Sequence, residues 1–255
     1  MCGIYGILSY GGGIGREPWL ECMASRLRHR GPDDHDLYVS PDGLILLGHC
    51  RLSIIDLSPA GRQPMWNEAG TTALVFNGEI YNFQALRRDL EARGHRFRSR
   101  TDSEVILHGY EDEGERILDR LEGMFAFALW DGGAGRLLLA RDRLGKKPLY
   151  YWRGPEAFVF ASELKTVLCH PRVPRAINPQ AVRDYLTLGY VPAPLTMFEG
   201  IAKLRPAQFL QVDRWMAFTV KEFWDAPVDA PPFHADLDTH ARRVRELVTG
   251  AVEKR

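Results

Sequence analysis

The sequence predicts an α+β fold in which antiparallel sheets are covered by helices, and three observations carry that expectation. Its apolar segments are short, about the length of single strands, and many are joined by tight turns built on Gly, Asn, Asp or Pro. Amphipathic helical stretches fall between groups of strands rather than after every strand, which argues against a parallel doubly wound sheet. With 255 residues, 45% of them hydrophobic, the chain can bury one large core, or one core plus a fragment of a second domain.

Taken in order, residues 3–9 read as a short buried strand closed by the glycine run 11–13. Residues 18–28 read as a helix, with Leu20, Met23, Ala24 and Leu27 at helical spacing and Pro18 in its first turn. Two strands follow, 36–40 and 44–50, joined at Pro41-Asp42-Gly43. A third, 71–76, runs into Asn77-Gly78-Glu79, which by itself reads as a turn. The stretch 83–93 is an amphipathic surface helix ended by Gly94. A further helix starts near residues 101–104, with Thr101 or Asp102 as its cap, and a short helical turn is expected at 118–121. Strands are expected at 123–131, 136–142, 149–152 and 157–162, with a helix beginning at 163. Beyond His170 prolines recur and the chain reads as extended, with a short helix at 178–188 and a hairpin at 206–213 and 217–223. Residues 226–233 read as a proline-rich linker. The stretch 237–252 is a helix whose apolar stripe (Leu237, Ala241, Val244, Leu247, Val248, Ala251, Val252) needs something to bury it.

Composition narrows the function. Lys plus Arg and Asp plus Glu each number 33, so no charge excess favours nucleic acid or a membrane surface. The longest apolar runs fall far short of the ~20 residues that span a bilayer. The N-terminus lacks the basic-then-apolar layout of a signal peptide. The four cysteines (Cys2, Cys22, Cys50, Cys169) form no Cys-x-x-Cys pair and have no histidine at zinc-finger spacing. The expectation is a reduced, cytoplasmic protein without a disulfide scaffold or structural metal.

Four places carry candidate chemistry. Once Met1 is removed, Cys2 presents a thiol and a free α-amine on one residue. An α-amine with a reference pKa near ~7.7–8.0 is basic enough to serve that thiol. The competing reading of Cys2 is an ordinary buried cysteine. Arg51, at the end of an apolar strand, offers a planar fork for a carboxylate, or alternatively pairs with Asp56. Asn77 and Gly78 supply a side-chain and an unhindered backbone N–H, together a donor pair for an oxyanion, or else only a turn. Asp102 is an acid or a helix cap. The charged stretch Arg28-His29-Arg30-Gly31-Pro32-Asp33 reads as a turn.

These stretches, with Met1-Cys2-Gly3-Ile4, Arg51-Leu52-Ser53-Ile54-Ile55-Asp56, Phe76-Asn77-Gly78-Glu79-Ile80-Tyr81-Asn82, Thr101-Asp102-Ser103-Glu104, Gly123-Met124-Phe125-Ala126-Phe127-Ala128, Ala140-Arg141-Asp142-Arg143-Leu144-Gly145 and Ser162-Glu163-Leu164-Lys165, occur in the order found in one family. Over nearly all of residues 1–200 the sequence resembles the glutaminase domain of glutamine-dependent asparagine synthetases, class II glutamine amidotransferases of the N-terminal-nucleophile type. The resemblance implies a four-layer αββα fold. It implies that Cys2 is the nucleophile and its amine the base, and that Asn77 and Gly78 hold the oxyanion. Arg51 then grips the α-carboxylate of L-glutamine, Glu79 and Asp102 take its α-ammonium, and the backbone at Leu52, Ser53, Ile54 and Ile55 lines the pocket.

The implied domains are a glutaminase domain over 1–190, a connector over 191–235 and the first helix of a synthetase domain over 236–255. The Ser-Gly-Gly-x-Asp-Ser pyrophosphate loop of that synthetase domain is not in the sequence. ATP and Mg are therefore expected only in the missing domain and no cofactor or metal in this chain, and Lys203-Leu204-Arg205-Pro206-Ala207 departs from the family's Lys-Leu-Pro-Pro-Gly turn. Partners implied are L-glutamine and the missing synthetase domain, with a homodimer as a further option, and neither nucleic acid nor membrane. Two alternatives stay open: an amidotransferase with another acceptor (a sugar, a peptide or another acid), and a non-catalytic glutamine-binding domain.

Overall fold

A computed structural model describes residues 1–11, 13–15, 17–228 and 234–255. In chain order the strands are β1 (Gly3–Ser9), β2 (Asp34–Val39), β3 (Ile45–Arg51), β4 (Met65–Trp66), β5 (Thr72–Ile80), β6 (Gly123–Asp131), β7 (Arg136–Arg141), β8 (Tyr150–Arg153), β9 (Ala157–Ala161), β10 (Ile201–Lys203), β11 (Gln208–Asp213) and β12 (Phe218–Glu222). The helices are α1 (Pro18–Ser25), α2 (Phe83–Ala92), α3 (Glu104–Glu113), α4 (Ile117–Arg120), α5 (Leu164–Val167), α6 (Pro179–Leu188) and α7 (Leu237–Glu253). The strands form two antiparallel sheets, ordered β10-β8-β9-β1-β3-β2 and β12-β11-β7-β6-β5-β4.

Strand alternation builds the layers. On β1, Ile4 and Leu8 point between the sheets and meet Val75, Ala126 and Ala128 of the second sheet. The intervening Tyr5 and Ile7 point outward and are covered by Met23 and Leu27 from α1 and its C-terminal turn, and by Val167 of α5. On the second sheet Leu74, Phe76 and Phe127 face away from the first and pack under Leu86 and Leu90 of α2 and Val105 and Ile106 of α3. The result is helix, sheet, sheet, helix, the four-layer order expected. Close approach within the first sheet needs residues without side chains. A Cβ on Gly6 would collide with the Phe160 ring and lie 2.5 Å from the Leu46 carbonyl oxygen.

Four expectations are corrected. Asn77-Gly78-Glu79 is not a turn: β5 runs on through it, paired with Ala126, Phe125 and Met124 of β6, because the long partner strand keeps a hydrogen-bonded neighbour available. Residues 191–235 are not simply a connector. Within them β10 pairs with β8 and β11 pairs with β7 and β12, so both sheets are completed from this stretch. Neither Thr101 nor Asp102 caps α3; the residue preceding the helix is Ser103, which makes no side-chain cap hydrogen bond. The fully reduced reading of the cysteines also fails. Cys22 of α1 and Cys169, just past α5, are joined in a disulfide with Cα atoms 6.0 Å apart, because both helices lie on the same outer layer.

Of the linker expected at 226–233, residues 229–233 lie outside the described residues. The apolar stripe of α7 is uncovered, with Val244, Leu247, Val248 and Val252 all exposed. Among the described residues no helix is long and apolar enough to cross a membrane.

Candidate active site

Cys2 immediately precedes β1, and its backbone is pinned from two sides. Arg30 donates from Nε to the Cys2 carbonyl oxygen at 2.9 Å, and its guanidinium is held in turn by Glu163 at 3.1 Å. Two residues further on, the Ile4 N–H donates to Ser162 Oγ at 3.0 Å and the Ile4 carbonyl accepts from the Ser162 N–H at 2.8 Å. The charged turn at 28–33 is thus structural. Arg30 fixes the terminus, and Asp33 accepts the Ser53 N–H at 2.8 Å. That second bond shapes the loop after β3.

The Cys2 sulfur lies 3.4 Å from the Leu52 nitrogen and 3.6 Å from the Leu52 carbonyl oxygen. Burial pushes the thiol pKa above its ordinary value, against opposing contributions from the Leu52 amide, the terminal ammonium and Arg51. A thiol in that state needs a nearby base to become a nucleophile.

The continuation of β5 as a strand aims the neighbouring groups. Side chains at 75, 77 and 79 share one face, and Val75 on that face lies between the sheets. Asn77 and Glu79 therefore face the first sheet, where Cys2 leads into β1. The backbone alternates as well. The Phe76 N–H leaves the β5 edge to reach Gln63 Oε1 at 2.6 Å, and the Ile80 N–H leaves the same edge to reach Asp102 Oδ2 at 2.7 Å. Gly78 lies between them in the same phase, so its N–H points off that edge too. A side chain at residue 78 is excluded, since a Cβ there would collide with the Met124 carbonyl oxygen and stand 2.7 Å from the Phe125 Cα. Asn77 itself is buried, and neither its Nδ2 nor its Oδ1 has a hydrogen-bond partner in the protein. A buried amide left unpaired costs about 1–3 kcal/mol, so this one marks a place prepared for something else.

Arg51 does not pair with the Asp56 carboxylate. Its guanidinium donates to the Ser58 carbonyl oxygen at 3.1 Å and to the Asp56 backbone carbonyl. The Asp56 carboxylate is occupied by the Arg100 and Ser58 amides, each at 2.9 Å, and they hold its pKa down at about 2. Asp102 is the opposite case: burial first, with Glu79 adding to it, lifts its carboxyl to about 6.

These groups line one cavity of about 160 Å³, shared by Cys2, Arg51, Asn77, Gly78, Glu79 and Asp102. Leu52, Ile54 and Ile55 also line it, but Ser53 does not, because its amide is turned away to Asp33. Further lining residues escaped the sequence reading, His49, Gln63 and Lys147 among them. His49 is fully buried, and its Nε2 stands 3.1 Å from the Phe76 carbonyl oxygen. Burial lowers its pKa to about 4, so it is neutral and donates that bond. Together with Gln63 it fixes both sides of the residue preceding Asn77. Lys147, buried and with its pKa lowered by burial, adds a cation near Glu79 and Cys2. Asp142 positions it, accepting the amides of Leu144, Lys146 and Lys147 at 2.9–3.1 Å. The signal for Lys147 lay in the Arg141-Asp142-Arg143-Leu144-Gly145 stretch that precedes it.

A thiol just ahead of β1 in an αββα sandwich thus shares one cavity with the buried Asn77 amide, the Arg51 cation and the Glu79 and Asp102 carboxyls. Residues 1–224 match the family described as "Glutamine amidotransferase domain", and the chain belongs to that family. It is 35% identical over 258 residues to asparagine synthetase [glutamine-hydrolyzing] 3 of Bacillus subtilis, covering 100% of this chain and 41% of that protein. It is also 35% identical over 225 residues to amidase chry2 of Gibberella zeae, covering 82% of this chain and 32% of that protein. The chain thus spans less than half the length of these relatives, and it is homologous to the glutaminase part of the asparagine synthetases. Among solved structures, the glutamine phosphoribosylpyrophosphate amidotransferase of B. subtilis shares the fold, with a TM-score of 0.64 at 18% identity over 88% of this chain and 50% of that one.

Proposed function

We propose that this domain hydrolyses the side-chain amide of L-glutamine and delivers the ammonia to a further, ATP-dependent domain that amidates aspartate. The observation that carries the first half is the unpaired Asn77 amide, buried in a cavity that also holds the Cys2 thiol. With Met1 removed, the Cys2 amine takes the thiol proton, and the sulfur attacks the substrate's side-chain carbonyl carbon. The carbonyl oxygen gains negative charge and is met by Asn77 Nδ2–H and the Gly78 N–H, donors prepared before the charge develops. The intermediate collapses, the amide nitrogen leaves as ammonia with the proton returned by the amine, and a γ-glutamyl thioester remains. Water, activated by the same amine, then releases glutamate and restores the thiol.

Arg51 holds the substrate α-carboxylate, and Glu79 and Asp102 hold the α-ammonium. The loop at 52–55 closes over the chain of the substrate. Lys147 is an additional positive group beside the reacting sulfur.

The uncovered stripe of α7 supports its assignment as the first helix of the further domain, in keeping with the greater length of the relatives. ATP and Mg belong to that domain in this reading. The match to an amidase over 82% of this chain favours a second reading of the acceptor only, since similar glutaminase domains can serve different second halves. Glutamate release from glutamine by the purified chain, lost in Cys2→Ala, tests the glutaminase reading; hydrolysis at full rate by Cys2→Ala refutes it. Supplying aspartate and other acids with ATP to the full gene product separates the acceptors.

A further inference from the structure

Outside the lining of the Cys2 cavity, three segments bring four metal-ligating side chains to one point. Glu68 sits in the turn between β4 and β5, His95 in the loop after α2, and His108 and Glu111 one turn apart on α3. One donor atom from each lies within 4.8 Å of all the others. His108 Nδ1 is 3.1 Å from Glu111 Oε2 and 3.5 Å from Glu68 Oε2, and His95 Nδ1 is 3.9 Å from Glu111 Oε2. A tetrahedral zinc ion with bonds of ~2.0–2.1 Å sets its donors about 3.4 Å apart. The cluster therefore needs a contraction that the exposed Glu68 and Glu111 side chains can supply.

One outer contact has the histidine–carboxylate form found around metal ions. His95 Nε2 meets Asp112 Oδ1 at 3.0 Å, which fixes its proton there and leaves Nδ1 as the lone pair. His108 is buried and its Nε2 has no hydrogen-bond partner. The acceptor nearest to that Nε2 is Glu104 Oε1 at 3.6 Å; Nδ1 donates to Glu111 Oε2 at 3.1 Å, and a bound ion would displace that proton and use the Nδ1 lone pair. The Oε1 atoms of both glutamates are occupied, Glu68 by the Arg96 N–H at 2.8 Å and Glu111 by Asn67 Nδ2 at 2.7 Å. Each Oε2 faces His108 Nδ1, that of Glu111 in a 3.1 Å hydrogen bond and that of Glu68 at 3.5 Å, so an ion would take the place of the proton between them.

We propose that this cluster is a structural zinc site, with His95 Nδ1, His108 Nδ1, Glu68 Oε2 and Glu111 Oε2 as its four ligands. Two imidazoles with two carboxylates suit a borderline transition metal and disfavour Mg and Ca, which take all-oxygen shells. Four protein donors leave no open position, so the ion braces rather than reacts. It ties the β4–β5 turn and the α2–α3 loop to α3, the helix that follows Asp102. The proposal runs against the absence of structural metal expected from the cysteines, at a place where cysteines play no part.

The test is titration of the chelator-treated, full chain with Zn²⁺, and with Co²⁺ as a spectroscopic stand-in. Expected are one equivalent bound, a visible Co²⁺ spectrum of tetrahedral intensity, and a higher melting temperature. Binding should persist in Cys2→Ser, fall by more than 100-fold in His95→Gln and in Glu111→Gln, and fall 10–100-fold in Asp112→Asn, with circular dichroism showing each variant folded. If the wild type takes up no Zn²⁺, a proton on His108 satisfies the same carboxylates and the proposal is wrong. It is equally wrong if binding survives His95→Gln or vanishes in Cys2→Ser, or if Co²⁺ is octahedral.

Discussion

Replacing Asp102 by asparagine should strengthen the ligand-free fold while disabling the glutamine site. The carboxyl is 6% exposed, and its pKa rises from 3.8 to about 6, chiefly through burial. An acid whose folded pKa is raised binds more protons in the folded than in the unfolded state between those two values. Stability is therefore lost as pH climbs from about 4 to about 6, and the loss stays constant above that window. At ~1.4 kcal/mol per pH unit, the ionised carboxylate costs the fold up to about 3 kcal/mol at neutral pH.

Asparagine keeps an oxygen for the Ile80 N–H, which Asp102 accepts at 2.7 Å, and it carries no charge to bury. Urea unfolding of both proteins from pH 4 to 8 should give curves that coincide near pH 4 and diverge above it, with the variant up to about 3 kcal/mol more stable at pH 7. The same variant should lose the charge-assisted bond to the α-ammonium, about 1.5–3 kcal/mol, and so raise the KM for glutamine by ten-fold or more. In the wild type KM should rise as pH falls through 6. A variant no more stable than the wild type at pH 7, or a stability gap independent of pH, would refute the reasoning.

Three further predictions concern the neighbours. Gly78→Ala drives a Cβ into the Met124 carbonyl oxygen; it should destabilise the fold by about 1–3 kcal/mol in chemical unfolding and abolish glutamate release. Arg30→Ala frees the Cys2 carbonyl and should lower kcat by about 100-fold with little change in KM, measured by steady-state kinetics. Lys147→Met removes a cation that the Cys2 thiolate favours, so the pH midpoint of Cys2 alkylation should move to higher pH.

What the sequence made legible follows from how local each signal is. β1 is found at the range expected, because an apolar run closed by glycines is a nearest-neighbour pattern. The nine residues of β5 extend past the expected strand, because Asn-Gly is a turn signal until β6 supplies a partner. The sheet membership of β10 and β11 was hidden by prolines whose effect is local, while their pairing with β8 and β7 is not. Cys22 and Cys169 are separated by 147 positions, and nothing in that spacing announces contact. At the site, the residues lying in contiguous motifs (Cys2, Arg51, Asn77, Gly78, Glu79, Asp102) do line one cavity. His49 and Gln63 were missed because they act through the backbone of Phe76. The Glu68–His95–His108–Glu111 cluster was missed because its members come from three separate segments.

The central claim is that Cys2, freed of Met1, attacks glutamine with its own amine as base. Intact-mass analysis of the purified protein, before and after exposure to an electrophilic glutamine analogue, tests it most directly. Expected is a chain lacking Met1 that gains one analogue mass on the N-terminal peptide at Cys2, with protection by excess L-glutamine. A fully active glutaminase that retains Met1, or an adduct on Cys50 with Cys2 untouched, would contradict it.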